Sequence, residues 1–325
     1  MTIKKHICFT LFYMIVVCSF AQQTPTYTQF VLNQYGSNPA YAGTNLGMEA
    51  VVGKRYQWLG FSGAPTTTFG SFTFAWRKDF NYKSKQAIGI YVEDDRIGMF
   101  TSKSAYLSFS YHIKVFTGLN IAAGIFAGVR QIGLNNTLLY DPADPVLNEK
   151  NSSSLLIIYP DIIPGMRFYT KKLFIDVSVR QLYKNSMQQG SAHIGVPASQ
   201  LDPTYTVSAK RKIPLGDNTW MLIPAVKAQG TYKSIPLLEA NVMLFYNKTV
   251  GIGASIRGNS FACAIFQIKI LKNIIAGFGY DYTISKLRTA GANSVELMLS
   301  FTPGGNGDDK NAGATKVANC PDFNF

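Results

Sequence analysis

The sequence predicts an all-β protein, a transmembrane antiparallel β-barrel of 14 strands that follows an N-terminal signal peptide. Three observations predict this fold. Apolar and polar residues alternate with the period of two that is typical of strands. Each alternating segment is close to the ~10 residues with which a tilted strand crosses a membrane. Charged residues make up only 15% of the 325 residues and hydrophobic residues 47%, which excludes a disordered chain and a coiled coil.

The first 21 residues have the pattern of a secretory signal peptide. Lys4 and Lys5 form a positive start, an apolar run follows from 7 to 17, and Ala21 ends a stretch of small residues. The apolar run is too short for a membrane-spanning helix. We therefore expect cleavage after Ala21 and export of the chain. Residues 22–45 then precede the first strand as a segment that lies in the periplasm or plugs the barrel.

The strands are expected between residues 46 and 302, because 14 segments there alternate strictly. An even strand number suits a closed antiparallel barrel, and closure leaves no sheet edge unpaired in lipid. The segments run over 46–57, 66–77, 86–97, 103–115, 117–130, 161–170, 172–182, 203–213, 219–231, 234–246, 248–257, 259–270, 273–284 and 292–302.

The lengths of the connections predict how the barrel is oriented. Outer-membrane barrels have short periplasmic turns and longer outer loops. The fifth connection, 131–160, is the longest, and the seventh, 183–202, is the next. Even-numbered connections are mostly short, although the ninth and eleventh are short too. We therefore expect the odd-numbered connections outside, both termini in the periplasm, and residues 303–325 as a polar periplasmic tail.

The faces opposite the apolar sets carry most of the charge. They form either a hydrated lumen wall with paired charges, which is the simpler interpretation, or a positive pocket for an acidic ligand. Seven of the predicted inward residues form the proposed set of lumen charges: Arg77, Arg130, Arg167, Arg180, Lys269, Asp281 and Glu296. The other predicted inward residues include Arg96, His112, Lys210, Lys212 and Lys227.

Motifs for catalysis or metal binding are not found in the sequence. It has neither a paired-histidine zinc motif nor a nucleophile elbow nor a phosphate-binding loop. Asp94 and Asp95 are neighbours in a strand, so their side chains are expected on opposite faces. Mature cysteines are only Cys263 and Cys320, which do not make a disulfide framework. We expect no enzyme activity, no cofactor, no metal and no nucleic-acid partner.

Two segments near the mature N-terminus are more specific. One reads Asn-Pro-Ala-Tyr-Ala-Gly at 38–43, and the other reads Arg-x-Gln-Trp-x-Gly-x-x-Gly-Ala-Pro-Thr-Thr at 55–67. Together they resemble the PorP/SprF family of outer-membrane proteins of the type IX secretion system. The resemblance is strongest in these segments and extends along most of the mature chain at the level of pattern. The matching positions are Asn38, Pro39, Tyr41, Gly43, Arg55, Gln57, Trp58, Gly63, Pro65 and Thr67.

The resemblance implies a non-enzymatic barrel in the outer membrane that works with the secretion and gliding machinery. Family members are typically paired with a large secreted surface protein or adhesin, which they help to export or to anchor. Peptidoglycan-binding periplasmic proteins are further implied partners. The motif residues then either define the fold or bind a partner, and turn-forming residues such as Pro39, Gly63 and Pro65 have structural reasons enough.

Two alternatives remain at the level of sequence. One is a general diffusion porin or small-solute transporter of the outer membrane. The other is a secreted soluble β-rich binding module, although segments of 10 to 14 residues are long for that class. The residues themselves do not say whether the lumen is open or plugged, nor what Cys320 and the tail do.

Overall fold

The structure, a computed structural model, describes residues 25–77, 83–134, 155–183, 202–216, 219–271, 273–285 and 292–303. The predicted signal peptide, residues 22–24 and almost all of the predicted tail lie outside these ranges. No helix among the described residues is long and apolar enough to cross a membrane.

The described residues form 14 antiparallel strands in one closed sheet, as predicted. Closure is made by the first and last strands, which pair over Ala50↔Phe301 to Tyr56↔Val295. The strands are β1 Gly47–Tyr56, β2 Thr66–Arg77, β3 Ser84–Ile97, β4 Phe100–Phe116, β5 Leu119–Leu134, β6 Leu155–Tyr169, β7 Leu173–Arg180, β8 Thr204–Arg211 continued as Ile213–Leu215, β9 Trp220–Thr231, β10 Leu237–Tyr246, β11 Val250–Arg257, β12 Phe261–Leu271, β13 Ile274–Thr283 and β14 Ser294–Phe301.

The strand boundaries agree with the alternation to within a few residues, except around the fifth connection. There β5 and β6 extend further than predicted and pair over Leu134↔Leu155. Residues 131–134 and 155–160 of the predicted loop 131–160 are therefore strand, and residues 135–154 lie outside the described ranges. The apolar run at 155–158 lacks alternation, so its periodicity did not identify it as a strand.

The apolar faces of the strands point outward, as predicted. Leu107 is 65% exposed and Ile256 59%, whereas a core of a soluble β-protein would bury such side chains. The residues between them point inward and are buried, for example Ser110, His112 and Arg167. The prediction is wrong for one inward charge. Arg96 lies on the outer wall, where its side chain is 62% exposed and forms an ion pair with Asp94. The alternation in β3 puts Glu93 and Asp95 on the inner side instead.

Strand direction defines two ends of the barrel. The odd end carries the odd-numbered connections, such as residues 57–65 between β1 and β2. The even end carries the even-numbered ones, such as the turn at 117–118 between β4 and β5. β1 starts and β14 finishes at the even end. Residues 25–46 precede β1, and we refer to this stretch as the N-terminal segment.

Candidate functional site

The N-terminal segment fills the inside of the barrel. Its residues from Tyr27 to Gly43 are buried, apart from the half-buried Ser37. Two short helices shape it, α1 over Gln34–Ser37 and a 3₁₀ turn over Pro39–Tyr41. The side chain of Asn38 accepts a hydrogen bond from the backbone N–H of Ala40 at 2.9 Å and so caps the 3₁₀ turn. Pro39 occupies its first position, where no N–H is needed.

At the odd end the segment is held by a cluster of buried charges from β1, β13 and β14. Glu296 accepts hydrogen bonds from the backbone N–H groups of Thr28 at 2.9 Å and Gln29 at 2.8 Å. Arg55 donates to the Thr28 hydroxyl at 2.6 Å and forms ion pairs with Asp281 at 2.6 Å and Glu296 at 3.3 Å. We call these residues the odd-end anchor. Its charged side chains are at most 2% exposed, so each depends on the others for compensation.

At the even end Arg167 of β6 is the centre of a second cluster, which we call the even-end anchor. Its guanidinium donates twice to Asp176 of β7, at 2.7 and 2.8 Å. It also donates to the Gln34 side chain at 2.6 Å and to the Thr44 hydroxyl at 2.7 Å. Asp176 in turn accepts from the Asn38 amide at 2.9 Å. The barrel's ion pair is therefore completed by three polar groups of the N-terminal segment.

Backbone carbonyls of the segment are satisfied by inward side chains between the two anchors. Ser178 donates to the carbonyl of Ser37 at 2.6 Å, and Arg180 donates to that of Gly36. Ser110 donates to the carbonyl of Ala42, which also lies 2.6 Å from His112 Nε2. A segment without a strand or long helix of its own must find partners for such buried groups, and here the barrel wall provides them.

Glycines in the wall make room for the segment. Gly124 of β5 and Gly165 of β6 are register partners on neighbouring strands. A Cβ on Gly124 would lie 2.5 Å from the backbone N of Ala40, and one on Gly165 would lie 2.9 Å from Cδ of Pro39. The turn at Asn38 to Ala40 thus sits directly against this glycine pair. Only the absence of side chains at both positions permits that approach.

Apolar residues of the segment pack against opposite walls. Phe30 and Val31 form one buried cluster with inward residues of β9 to β13, among them Ile223 and Ile275. On the other side Tyr35 packs edge-to-face on Phe126, with ring centroids 4.9 Å apart. Inward isoleucines would be unfavourable in a hydrated lumen. Their burial against the segment contributes about 1.5–3 kcal/mol for each large apolar side chain.

The remaining inward charges are paired mainly with each other. Arg130 lies 3.6 Å from Glu93, and Glu239 pairs with Lys227 at 2.9 Å and with Arg257 at 3.2 Å. Glu93 also accepts a hydrogen bond from the phenol of Tyr27 at 2.6 Å. Tyr27 thereby joins the N-terminal segment to the Glu93–Arg130 pair.

Five of the seven predicted lumen charges lie in this interior. Arg130, Arg167, Arg180, Asp281 and Glu296 are buried and point inward. Lys269 is only half-buried, and the side chain of Arg77 lies outside the described part of the structure. Because the buried charges contact each other and the segment, a hydrated wall does not describe them. The sequence-based list omits their partners Glu93, Asp176, Glu239 and Arg257, which alternation alone would have placed on the inner face.

The two motif segments are separated by the fold into different roles. Asn38, Pro39, Tyr41 and Gly43 lie inside the barrel, where Tyr41 donates to Glu49 at 3.0 Å. Gly43 has a φ of +87°, and a Cβ there would lie 2.9 Å from His112 Nε2. A bulkier residue would therefore be strained and crowded. Within the second motif only Arg55 joins the interior contacts with the segment.

The other residues of the second motif shape the first odd-end connection. The backbone N–H of Gln57 donates to the carbonyl of Pro65 at 2.9 Å, and Trp58 has a positive φ of 53°. The carbonyl of Gly63 accepts from the N–H of Gly98 in the third connection at 2.8 Å. Thr67 donates to Asp95 at 2.6 Å. These residues define and fasten the loop.

Among the described residues no group of three or more His, Cys, Asp or Glu side chains is placed to hold a metal ion.

The family model for "Type IX secretion system membrane protein PorP/SprF" matches residues 19–301. The chain belongs to the PorP/SprF family. This agrees with the resemblance of the two motif segments, and it associates the barrel with type IX secretion and the outer membrane. No curated protein matches this PorP/SprF member.

Two solved structures illustrate what this PorP/SprF barrel is similar to. The Ralstonia pickettii toluene transporter TbuX aligns with a TM-score of 0.51 at 12% identity, over 83% of this chain and 92% of that one. The Acinetobacter baumannii outer membrane protein Omp33 aligns with a TM-score of 0.47 at 9% identity, over 80% and 99%. At the identity of TbuX the likeness shows a shared fold and nothing about the substrate.

Proposed function

We propose that this protein is a closed outer-membrane barrel of the type IX secretion and gliding machinery that helps to export or anchor a large cell-surface adhesin. The observation that carries the proposal is the occupied lumen. The N-terminal segment is held by two buried anchors and two apolar clusters, so the barrel offers a rigid scaffold rather than a free aqueous path. Export or anchoring of a partner would then use the surfaces and connections of the barrel.

We also propose the orientation that the connection lengths predict, with the odd-numbered connections outside and with the start of β1 and the finish of β14 on the periplasmic side. The odd end would then contact the secreted partner, and the even-end turns and the tail after residue 303 would contact periplasmic components such as peptidoglycan-binding proteins. Family membership supports such partners as a class, and the motif residues at 57–67 lie at the odd end, where a surface protein would be met.

The competing function is that of a diffusion porin or small-solute transporter. Single-channel conductance distinguishes such an open barrel from the proposed closed scaffold. We expect purified protein in a planar lipid bilayer to show no stable open channel, because the segment blocks the lumen. A matched sample of an open trimeric porin serves as the positive control. A large and stable single-channel conductance of the unmodified protein would reject the closed scaffold.

The secretion role is tested in the parent organism. We expect deletion of the gene to abolish surface display of one large protein, while other secreted proteins are still exported. Surface proteomics of the deletion strain and of a complemented strain measures this. Surface display that is the same in the deletion strain and its parent would contradict the proposed role without affecting the description of the barrel.

A further inference from the structure

The ends of the N-terminal segment lie at opposite ends of the barrel. Thr28 contacts Arg55, Asp281 and Glu296, which are within two residues of the odd-end limits of their strands. At the other end the carbonyl of Thr44 accepts a hydrogen bond at 2.8 Å from Lys85, the second residue of β3 at the even end.

Residues between these points contact the wall along the lumen. Tyr35 reaches Ser108 in the middle of β4, its hydroxyl 2.6 Å from the serine oxygen. Gln34 reaches Arg167 of the even-end anchor, and Ala42 reaches His112, which lies closer to the even end of β4 than Ser108 does. The segment therefore enters the lumen at the odd end with Thr28 and leaves it at the even end with Thr44.

We infer that the chain threads its own barrel, so that Pro25 lies at the odd end and is accessible from there. Pro25 and Thr26 are half-buried, unlike the buried residues that follow them, as expected where a chain leaves the lumen. Pro25 then lies at the end opposite to the start of β1 and the finish of β14. In the proposed orientation this end faces the cell surface, although the threading itself does not depend on that orientation.

Threading also links the strands at which the barrel closes. Glu296 on the last strand binds the backbone N–H groups of Thr28 and Gln29, and Arg55 on the first strand binds the Thr28 hydroxyl. The segment thus bridges the β1–β14 seam from inside.

At the odd end, where Pro25 lies, several connections are linked to one another. Leu59 donates its backbone N–H to the carbonyl of Asn293 at 2.7 Å, and Gly98 donates to that of Gly63 at 2.8 Å. The first, third and thirteenth connections are thereby held together. The linked connections form a composite surface at the end of the barrel where Pro25 and Thr26 lie.

Cysteine labelling of the full-length protein in cells tests the threading. The background carries Cys263→Ser and Cys320→Ser, since Cys263 is a buried free thiol. Thr26→Cys is compared with Ser62→Cys in the first connection and Thr117→Cys in the exposed turn between β4 and β5. A membrane-impermeant maleimide is applied to intact cells and again after disruption of the outer membrane. Retained barrel mobility on unheated gels shows that each variant is folded.

We expect Thr26→Cys to label with the same sidedness as Ser62→Cys and the opposite sidedness to Thr117→Cys. This holds whichever end faces outward. Labelling of Thr26→Cys together with Thr117→Cys, or no labelling of Thr26→Cys under either condition, would overturn the inference. A short epitope inserted before Pro25 gives a second readout by antibody binding to intact cells. Neither measurement depends on secretion, so failure of the proposed function would leave the result unchanged.

Discussion

Replacing Arg167 with methionine is expected to destabilise the folded barrel by about 3–5 kcal/mol, the cost of leaving one charge of a buried pair without its partner. Asp176, 7% exposed, would retain only its hydrogen bond from Asn38. Gln34 and Thr44 would each lose a donor from the same guanidinium. Guanidinium chloride unfolding of the protein in detergent micelles, followed by tryptophan fluorescence, measures the change.

Arg96→Met is the matched control for Arg167→Met. Arg96 pairs with Asp94 at 2.9 Å on the outer wall, but its side chain is 62% exposed. Such pairs contribute roughly 0–1 kcal/mol. The double variant Arg167→Met with Asp176→Leu is expected to recover much of the loss, because it no longer buries an unpaired carboxylate. Equal effects of Arg167→Met and Arg96→Met would show that the even-end anchor is not a buried ion pair.

Replacing Gly124 with leucine is expected to displace the turn at Asn38 to Ala40 and to open a conducting path. Already the first added carbon would lie 2.5 Å from the Ala40 backbone N and 2.7 Å from the Pro39 carbonyl carbon. Because these are backbone atoms, no rotamer change relieves the overlap and the segment must move. Single-channel recording should show openings that the parent protein lacks, while circular dichroism should retain the β-sheet signal.

Gly70→Leu is the control for Gly124→Leu. Gly70 faces the outside of β2, and its added Cβ would meet Val92 at an ordinary 3.5 Å. It places the same side chain in the same sheet without touching the N-terminal segment. Conductance should therefore stay at the level of the parent. A Gly124→Leu protein that is folded, as stable as the parent and still closed would contradict the packing of the segment against this wall.

The strand pattern was largely predictable because it depends on local sequence. Alternation assigns a face to each residue from its nearest neighbours, so the outward Leu107 and the inward Asp281 need no knowledge of the rest of the chain. The error at Arg96 arose in a strand where both faces carry charges, since Glu93, Asp94, Asp95 and Arg96 are consecutive. There the polar side no longer identifies the inner face.

The contents of the lumen were less predictable. The sequence did contain signals of a filled lumen. Inward isoleucines such as Ile223 and Ile275 are unfavourable in a hydrated wall, and such a wall does not require inward glycines such as Gly124 and Gly165. Their meaning depends on which residues lie opposite, and those come from a segment that shows neither strand nor long-helix periodicity. Sequence patterns could therefore suggest a plug without giving its path or its contacts.

Residue alternation predicted the number of strands and the face of most residues on them, and the motifs at 38–43 and 55–67 indicated the family. The folded structure was needed to show that the charges inside are compensated by one another and by the chain's own N-terminal residues. These partners could not be paired from sequence because they are far apart along the chain. Thr28 and Glu296 are 268 residues apart and meet only once the sheet has closed into a barrel.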